Sequence, residues 1–174
     1  MKMQFTYNIF LIGFMGSGKS TVADYLCEKF DMDVVEMDQV IAERERMSIS
    51  DIFEKHGELY FRDLETKLLV ELQEKTNTVV SCGGGVAMRE CNVTEMKKNG
   101  KVVLLTAKPE TILERVENNH DRPLLENNKT VAYITELMEK RREKYEAAAD
   151  LVIETDGKSA RRICEEMMRR LGEI

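Results

Sequence analysis

Along the chain, short unbroken apolar runs alternate with stretches in which apolar residues return every three or four positions. Five runs read as strands, at 8–13, 33–36, 78–82, 101–106 and 150–155. Between them lie helical patterns near 20–30, 38–75, 89–99, 109–118 and 130–148, with a last one over about 158–171. The stretch 38–75 is too long for one helix of a globular domain and must be broken. Apolar runs without polar alternation mark strands covered on both faces. Strand–helix alternation of this kind predicts a mostly parallel sheet with helices on each side, a three-layer α/β sandwich. In such sheets ligands bind beyond the carboxyl ends of the strands.

Composition narrows the picture. The length of 174 residues suits one domain spanning the chain, and the formal charge of −6 gives no reason to expect a nucleic-acid or acidic-membrane partner. Arg161, Arg162, Arg169 and Arg170 cluster in the last helical stretch, but Glu165 and Glu166 interleave with them, as on a solvated face. Cys27, Cys82, Cys91 and Cys164 show no metal or redox spacing and read as reduced, mostly buried thiols of a cytosolic protein. One lysine before a short apolar strand is not a signal-peptide pattern, and no apolar run approaches the ~20 residues of a membrane span. A monomeric, cytoplasmic protein is the expectation.

Gly13-Phe14-Met15-Gly16-Ser17-Gly18-Lys19-Ser20 meets every fixed position of G-x-x-x-x-G-K-[ST], between a predicted strand and a predicted helix. Such a loop turns backbone N–H groups around phosphate oxygens. Lys19 then reaches the β- and γ-phosphates, and the Ser20 hydroxyl can sit on Mg²⁺. The helix N-terminus behind it favours the anion.

Two more clusters follow strands and so share that rim. Asp38 follows the strand at 33–36, with Glu36 two positions earlier, and the alternation of a strand lets both carboxylates point into one cleft, near a metal or an acceptor hydroxyl. Asp38 also stands where an N-cap for 39–46 is expected, and the two readings remain open. Gly83-Gly84-Gly85 adds nothing to packing and makes sense where a ligand or another chain segment approaches the backbone closely.

Ile134, Met138, Arg141 and Tyr145 recur at helical spacing, which turns Arg141 inward and Arg142 outward. An inward guanidinium needs an anionic partner, either an internal carboxylate or a ligand. Arg62, beside a stripe formed by Leu59 and Leu69, raises the same question. Two such arginines suggest a small anionic acceptor held bidentately. The longest non-periodic stretch holds Asn118-Asn119-His120-Asp121-Arg122-Pro123, and a mobile lid is expected over about 118–130. Arg122 is then either a cation brought over the phosphates or a solvated loop residue. His56 and His120 lack a nearby nucleophile pattern and receive no catalytic role.

Taken together, the loop at 13–20, Met37-Asp38-Gln39, Phe61-Arg62-Asp63, Gly83-Gly84-Gly85, Arg122-Pro123-Leu124-Leu125 and the helix carrying Arg141 and Tyr145 resemble the shikimate kinase family over residues 8–171. The resemblance implies a P-loop fold like that of nucleoside-monophosphate kinases, with a five-stranded parallel sheet, a mobile lid and a substrate-binding helical region at about 38–65. It also implies Mg²⁺-dependent transfer of the ATP γ-phosphoryl group to the 3-hydroxyl of shikimate, giving shikimate 3-phosphate and ADP in aromatic amino-acid biosynthesis. Carried onto this chain, Gly16, Ser17, Gly18, Lys19, Ser20 and Thr21 would bind the ATP phosphates, with Ser20 and Glu36 toward the metal. Asp38 would bind the shikimate hydroxyls as candidate base, Arg62 and Arg141 would grip its carboxylate, and Gly83, Gly84 and Gly85 would line it. Arg122 would reach ATP from the lid, and Arg115 with 155–159 would flank adenine. Lys19, Asp38 and Arg122 would carry the catalysis.

Two departures stand out: Glu36 replaces the usual Asp, and the adenine-side loop lacks the proline many members carry. Rival readings are a kinase for gluconate or a nucleoside monophosphate, and a nucleotide-binding switch without a small substrate. The switch gives the inward arginines no purpose.

Overall fold

Strand β1 (Asn8–Ile12) sends Phe10 and Ile12 to one side of a sheet and Ile9 and Leu11 to the other, all four at most 1% exposed. This is the period-two geometry of a strand buried on both faces. The computed structural model describes residues 4–117 and 130–173. Within them, β1 is joined by β2 (Asp33–Glu36), β3 (Thr78–Ser81), β4 (Gly100–Thr106) and β5 (Leu151–Glu154) in the order β2-β3-β1-β4-β5, every pair parallel. Phe10 pairs with Val80 on one side and Val102 on the other, which sets β1 at the centre. Each strand falls inside or within a residue of its predicted run.

The helices are α1 (Lys19–Phe30), α2 (Met37–Glu45), α3 (Ile49–His56), α4 (Glu58–Glu71), α5 (Glu90–Lys98), α6 (Pro109–Val116), α7 (Val131–Ala148) and α8 (Ala160–Arg170). The long pattern at 38–75 breaks where the backbone turns left-handed. Arg46 ends α2 at φ 58°, and Gly57 separates α3 from α4 at φ 88°. Ser48 starts α3 by accepting from the Asp51 N–H at 3.1 Å, as an N-cap does. Two cores result. Ile9, Leu11, Val103 and Leu105 pack with α1 and α8, while Phe10, Ile12, Val80 and Leu104 pack with residues of α2 to α7.

Two expectations need correction. Leu59 is 70% exposed, and the buried stripe of α4 is Phe61, Glu65, Leu68 and Leu69 instead. Of the four thiols only Cys82 and Cys164 are buried; Cys27 and Cys91 are exposed. The expected lid, with Arg122, lies outside the described residues apart from Thr130. The Thr130 side chain accepts from Tyr133 N–H and caps α7. No described helix is long and apolar enough to cross a membrane.

Candidate active site

Because the sheet is parallel, the loops after β1, β2 and β3 open on one edge, around a cleft of about 590 Å³. Gly16, Gly18, Lys19, Ser20 and Thr21 line one part of it; Glu36, Asp38, Gly83 and Gly84 line another. Gly18, with φ 103°, is the N-cap of α1 and has no side chain to cover the amides of the first turn. Those amides and the helix dipole form an anion site. Lys19 Nζ donates to Gly13 O at 2.6 Å and Phe14 O at 3.2 Å, which holds the ammonium at the loop. Arg115 lines the same cleft and donates from Nη1 to Gly16 O at 2.9 Å.

The structure decides between the two readings of Asp38. The cap position of α2 is Glu36, which makes no side-chain capping bond, and Asp38 lies inside the first turn facing the cleft. Its Oδ1 atom is buried. The glycine triplet explains how other groups come so close. A Cβ on Gly83 would stand 2.7 Å from Glu65 Oε2 and 2.8 Å from Asp38 Oδ1; one on Gly84 would stand 2.9 Å from Arg141 Nη1. A Cβ on Gly85 would collide with the Arg62 guanidinium. Each glycine thus gives its space to a charged side chain from α2, α4 or α7.

Both arginines reach this region. Arg62 donates to Glu65 Oε1 at 2.8 Å and to Glu58 Oε1 at 3.1 Å, and its guanidinium lies over the rings of Phe53 and Phe61. Arg141 lies over the Phe14 ring and donates to Tyr145 OH at 3.4 Å, while that hydroxyl donates in turn to Gly84 O. Carboxylate contacts and two aromatic faces orient the Arg62 guanidinium before any ligand arrives, whereas Arg141 is oriented by the Phe14 ring and the Tyr145 hydroxyl. Arg142, as expected, is exposed and pairs with Glu139 and Glu146 on its own helix.

Glu65 was missed by sequence reading. It sits on the buried stripe of α4, so the argument that singled out Arg141 would have found it. Burial pushes its carboxyl up to about 7; Arg62 pulls it down, and Asp38 adds to the rise. Burial raises the Tyr145 hydroxyl despite Arg141 and Arg62, and raises the Cys82 thiol, which makes Cys82 a packing group rather than a nucleophile. Thr155, expected beside adenine, is 1% exposed and turned toward the phosphate loop.

Ser20, Glu36 and Asp38 offer hard oxygen donors on one cleft. No three acidic, His or Cys side chains converge as a cation cage among the described residues. That donor set fits Mg²⁺, which usually takes one or two protein oxygens and fills its shell with phosphate and water.

Comparison with known proteins gives the family. The family model for shikimate kinase matches residues 15–172. A shikimate kinase from Persephonella marina is 45% identical over 94% of this chain and 98% of its own length. The structure of shikimate kinase from Acinetobacter baumannii in complex with shikimate superposes with a TM-score of 0.90 at 33% identity, covering 95% of this chain and 92% of that one. Shikimate kinase from Aquifex aeolicus gives 0.81 at 37% identity, over 95% and 96% of the two chains. With the family model and these relatives matching over nearly the whole length, the chain belongs to the shikimate kinase family.

Proposed function

We propose that this chain transfers the γ-phosphoryl group of ATP to the 3-hydroxyl of shikimate, with the residue roles that follow. The observation that carries the proposal is the convergence of Arg62 and Arg141 on the glycine triplet, beside the phosphate loop and Asp38. A small acid held there by its carboxylate presents a hydroxyl toward the anion site at α1.

Gly16 to Thr21 bind the phosphates, and Lys19 neutralises charge on the transferred group. Asp38 orients the acceptor hydroxyl and takes its proton as the oxygen bonds to phosphorus and the bond to ADP breaks. Arg62 and Arg141 grip the carboxylate, with Gly83, Gly84 and Gly85 against the ring. Arg115 lies toward the nucleotide base. Arg122, outside the described residues, is assigned to ATP from the resemblance alone.

Ser20 and Glu36 would hold Mg²⁺, which when bound neutralises the phosphate oxygens. The longer Glu36 keeps the charge of the family's Asp and extends it by one methylene. The catalyst is read as a monomer, since one chain supplies both the phosphate loop and both arginines. It is read as cytoplasmic, since exposed free Cys27 and Cys91 suit a reducing compartment.

Coupled ADP release over shikimate, quinate, gluconate and nucleoside monophosphates tests the reading. Turnover should require shikimate; equal turnover with gluconate, or none with any acid, overturns it.

A further inference from the structure

Thr155 directly follows the edge strand β5 and is 1% exposed. Its Oγ1 lies 3.1 Å from Ser17 O and 3.0 Å from Thr106 O, and it accepts from Arg115 Nη1 at 3.3 Å. A hydroxyl has one proton to give. Thr106 O already accepts the Thr155 N–H at 2.8 Å, which leaves Ser17 O as the acceptor that gains most from it. Arg115 donates to the same oxygen, so the hydroxyl's own proton points away from that guanidinium.

The consequence follows from the trans peptide, in which C=O and N–H of one unit point opposite ways. Tying down the Ser17 carbonyl aims the Gly18 N–H away from Thr155, as one of the unpaired donors at the start of α1. Arg115 holds the preceding unit through Gly16 O, and the N–H of that unit, on Ser17, donates inside the loop to Phe14 O at 3.1 Å. These two units lie in a stretch with Gly16 at φ 80° and Gly18 at φ 103°, where the backbone has most freedom to lose.

Resting on the reading above, we infer that Thr155 is a positioning residue of the phosphate loop. Its hydroxyl holds the Ser17–Gly18 peptide in the phosphate-receiving orientation, so it acts on nucleotide affinity rather than on the acid.

The test compares Thr155→Val, which keeps the shape and removes the hydroxyl, with Thr155→Ser, which keeps the hydroxyl. Calorimetry with Mg·ATP and steady-state kinetics are read together with Tm. Thr155→Val should raise Kd and KM for ATP about tenfold, the size of one neutral hydrogen bond. It should leave KM for shikimate within about twofold, and Thr155→Ser should return ATP binding to near wild type. The inference fails if ATP affinity in Thr155→Val stays within about twofold. It also fails if both variants lose ATP affinity alike, or if KM for both substrates rises together as Tm falls. Should Thr155→Val not fold, Thr155→Ser against Thr155→Ala makes the same comparison. Because ATP binding is measured directly, failure of the shikimate reading shows separately as wild-type protein that binds ATP without acid-dependent ADP release.

Discussion

Arg62 and Glu65 meet one turn apart on α4 at 2.8 Å, the carboxylate fully buried and the guanidinium side chain 14% exposed. An i,i+3 pair on a surface helix adds a few tenths of a kcal/mol. Here burial makes the pair a device for aiming a cation. Glu65 holds one edge of Arg62, Glu58 holds another, and Phe53 and Phe61 sit under its plane.

Glu65 should make acid binding pH-dependent. Its folded pKa of about 7 exceeds the ordinary 4.5, so the folded chain favours the protonated form. An acid carboxylate joining Arg62 adds negative charge nearby and favours that form further. KM for shikimate is therefore expected to rise as pH increases through about 7, and Glu65→Gln should flatten the dependence. Stability follows the same sign: the favourable contribution is complete below about 4.5 and lost as pH rises to about 7. The Tm difference between Glu65→Gln and wild type should thus shift in the variant's favour from pH 5 to pH 8. A pH-independent difference would contradict the assignment.

Removing either clamp arginine should act on the acid alone. Arg141→Ala is expected to raise KM for shikimate at least about tenfold with a smaller change in kcat, since the carboxylate is remote from the reacting oxygen. Initial rates at saturating ATP check this, and an unchanged KM would end the carboxylate-clamp assignment.

Lys19→Ala should instead lower kcat by about 10²-fold or more, in line with other preorganised charge-stabilising groups. A variant that loses only ATP affinity, with kcat intact, would confine Lys19 to binding.

The glycine triplet offers a steric test. Gly85→Ala places a methyl group into the Arg62 guanidinium, and Gly84→Ala places one 2.9 Å from Arg141 Nη1. Both should raise KM for shikimate several-fold while leaving KM for ATP near wild type. Equal damage to both substrates would mean that the triplet supports the whole rim rather than the acid.

Much of this was legible from residue order. The strands showed because a strand covered on both faces is apolar throughout, and the phosphate loop showed because its spacing follows from backbone geometry. Arg141 showed because a charge on an apolar stripe contradicts its neighbours. What stayed hidden depends on contacts between distant elements. Glu65 meets Gly83 and Asp38 only after α4, the loop beyond β3 and α2 come together. Thr155 was placed at the end of a strand and, by resemblance, beside adenine; its tie to the phosphate loop stayed hidden because its partner Ser17 lies 138 positions away. Leu59 misled because apolar spacing alone does not say which face of a helix meets the core.

The two cores flanking the sheet give the molecule separate territories for inheritance and for engineering. Phe14, Met37, Phe61, Val86 and Tyr145, which underlie the acid-facing groups, all belong to one cluster; Val22, Leu26, Met167 and Met168, beneath the helix that receives phosphate, belong to the other. Drift on the α1–α8 side can change heat tolerance while acid choice stays fixed. A lineage seeking a new acceptor would have to rework the opposite side, where Phe14 and Met15 of the phosphate loop and Ile112 and Val116 of α6 share the same cluster.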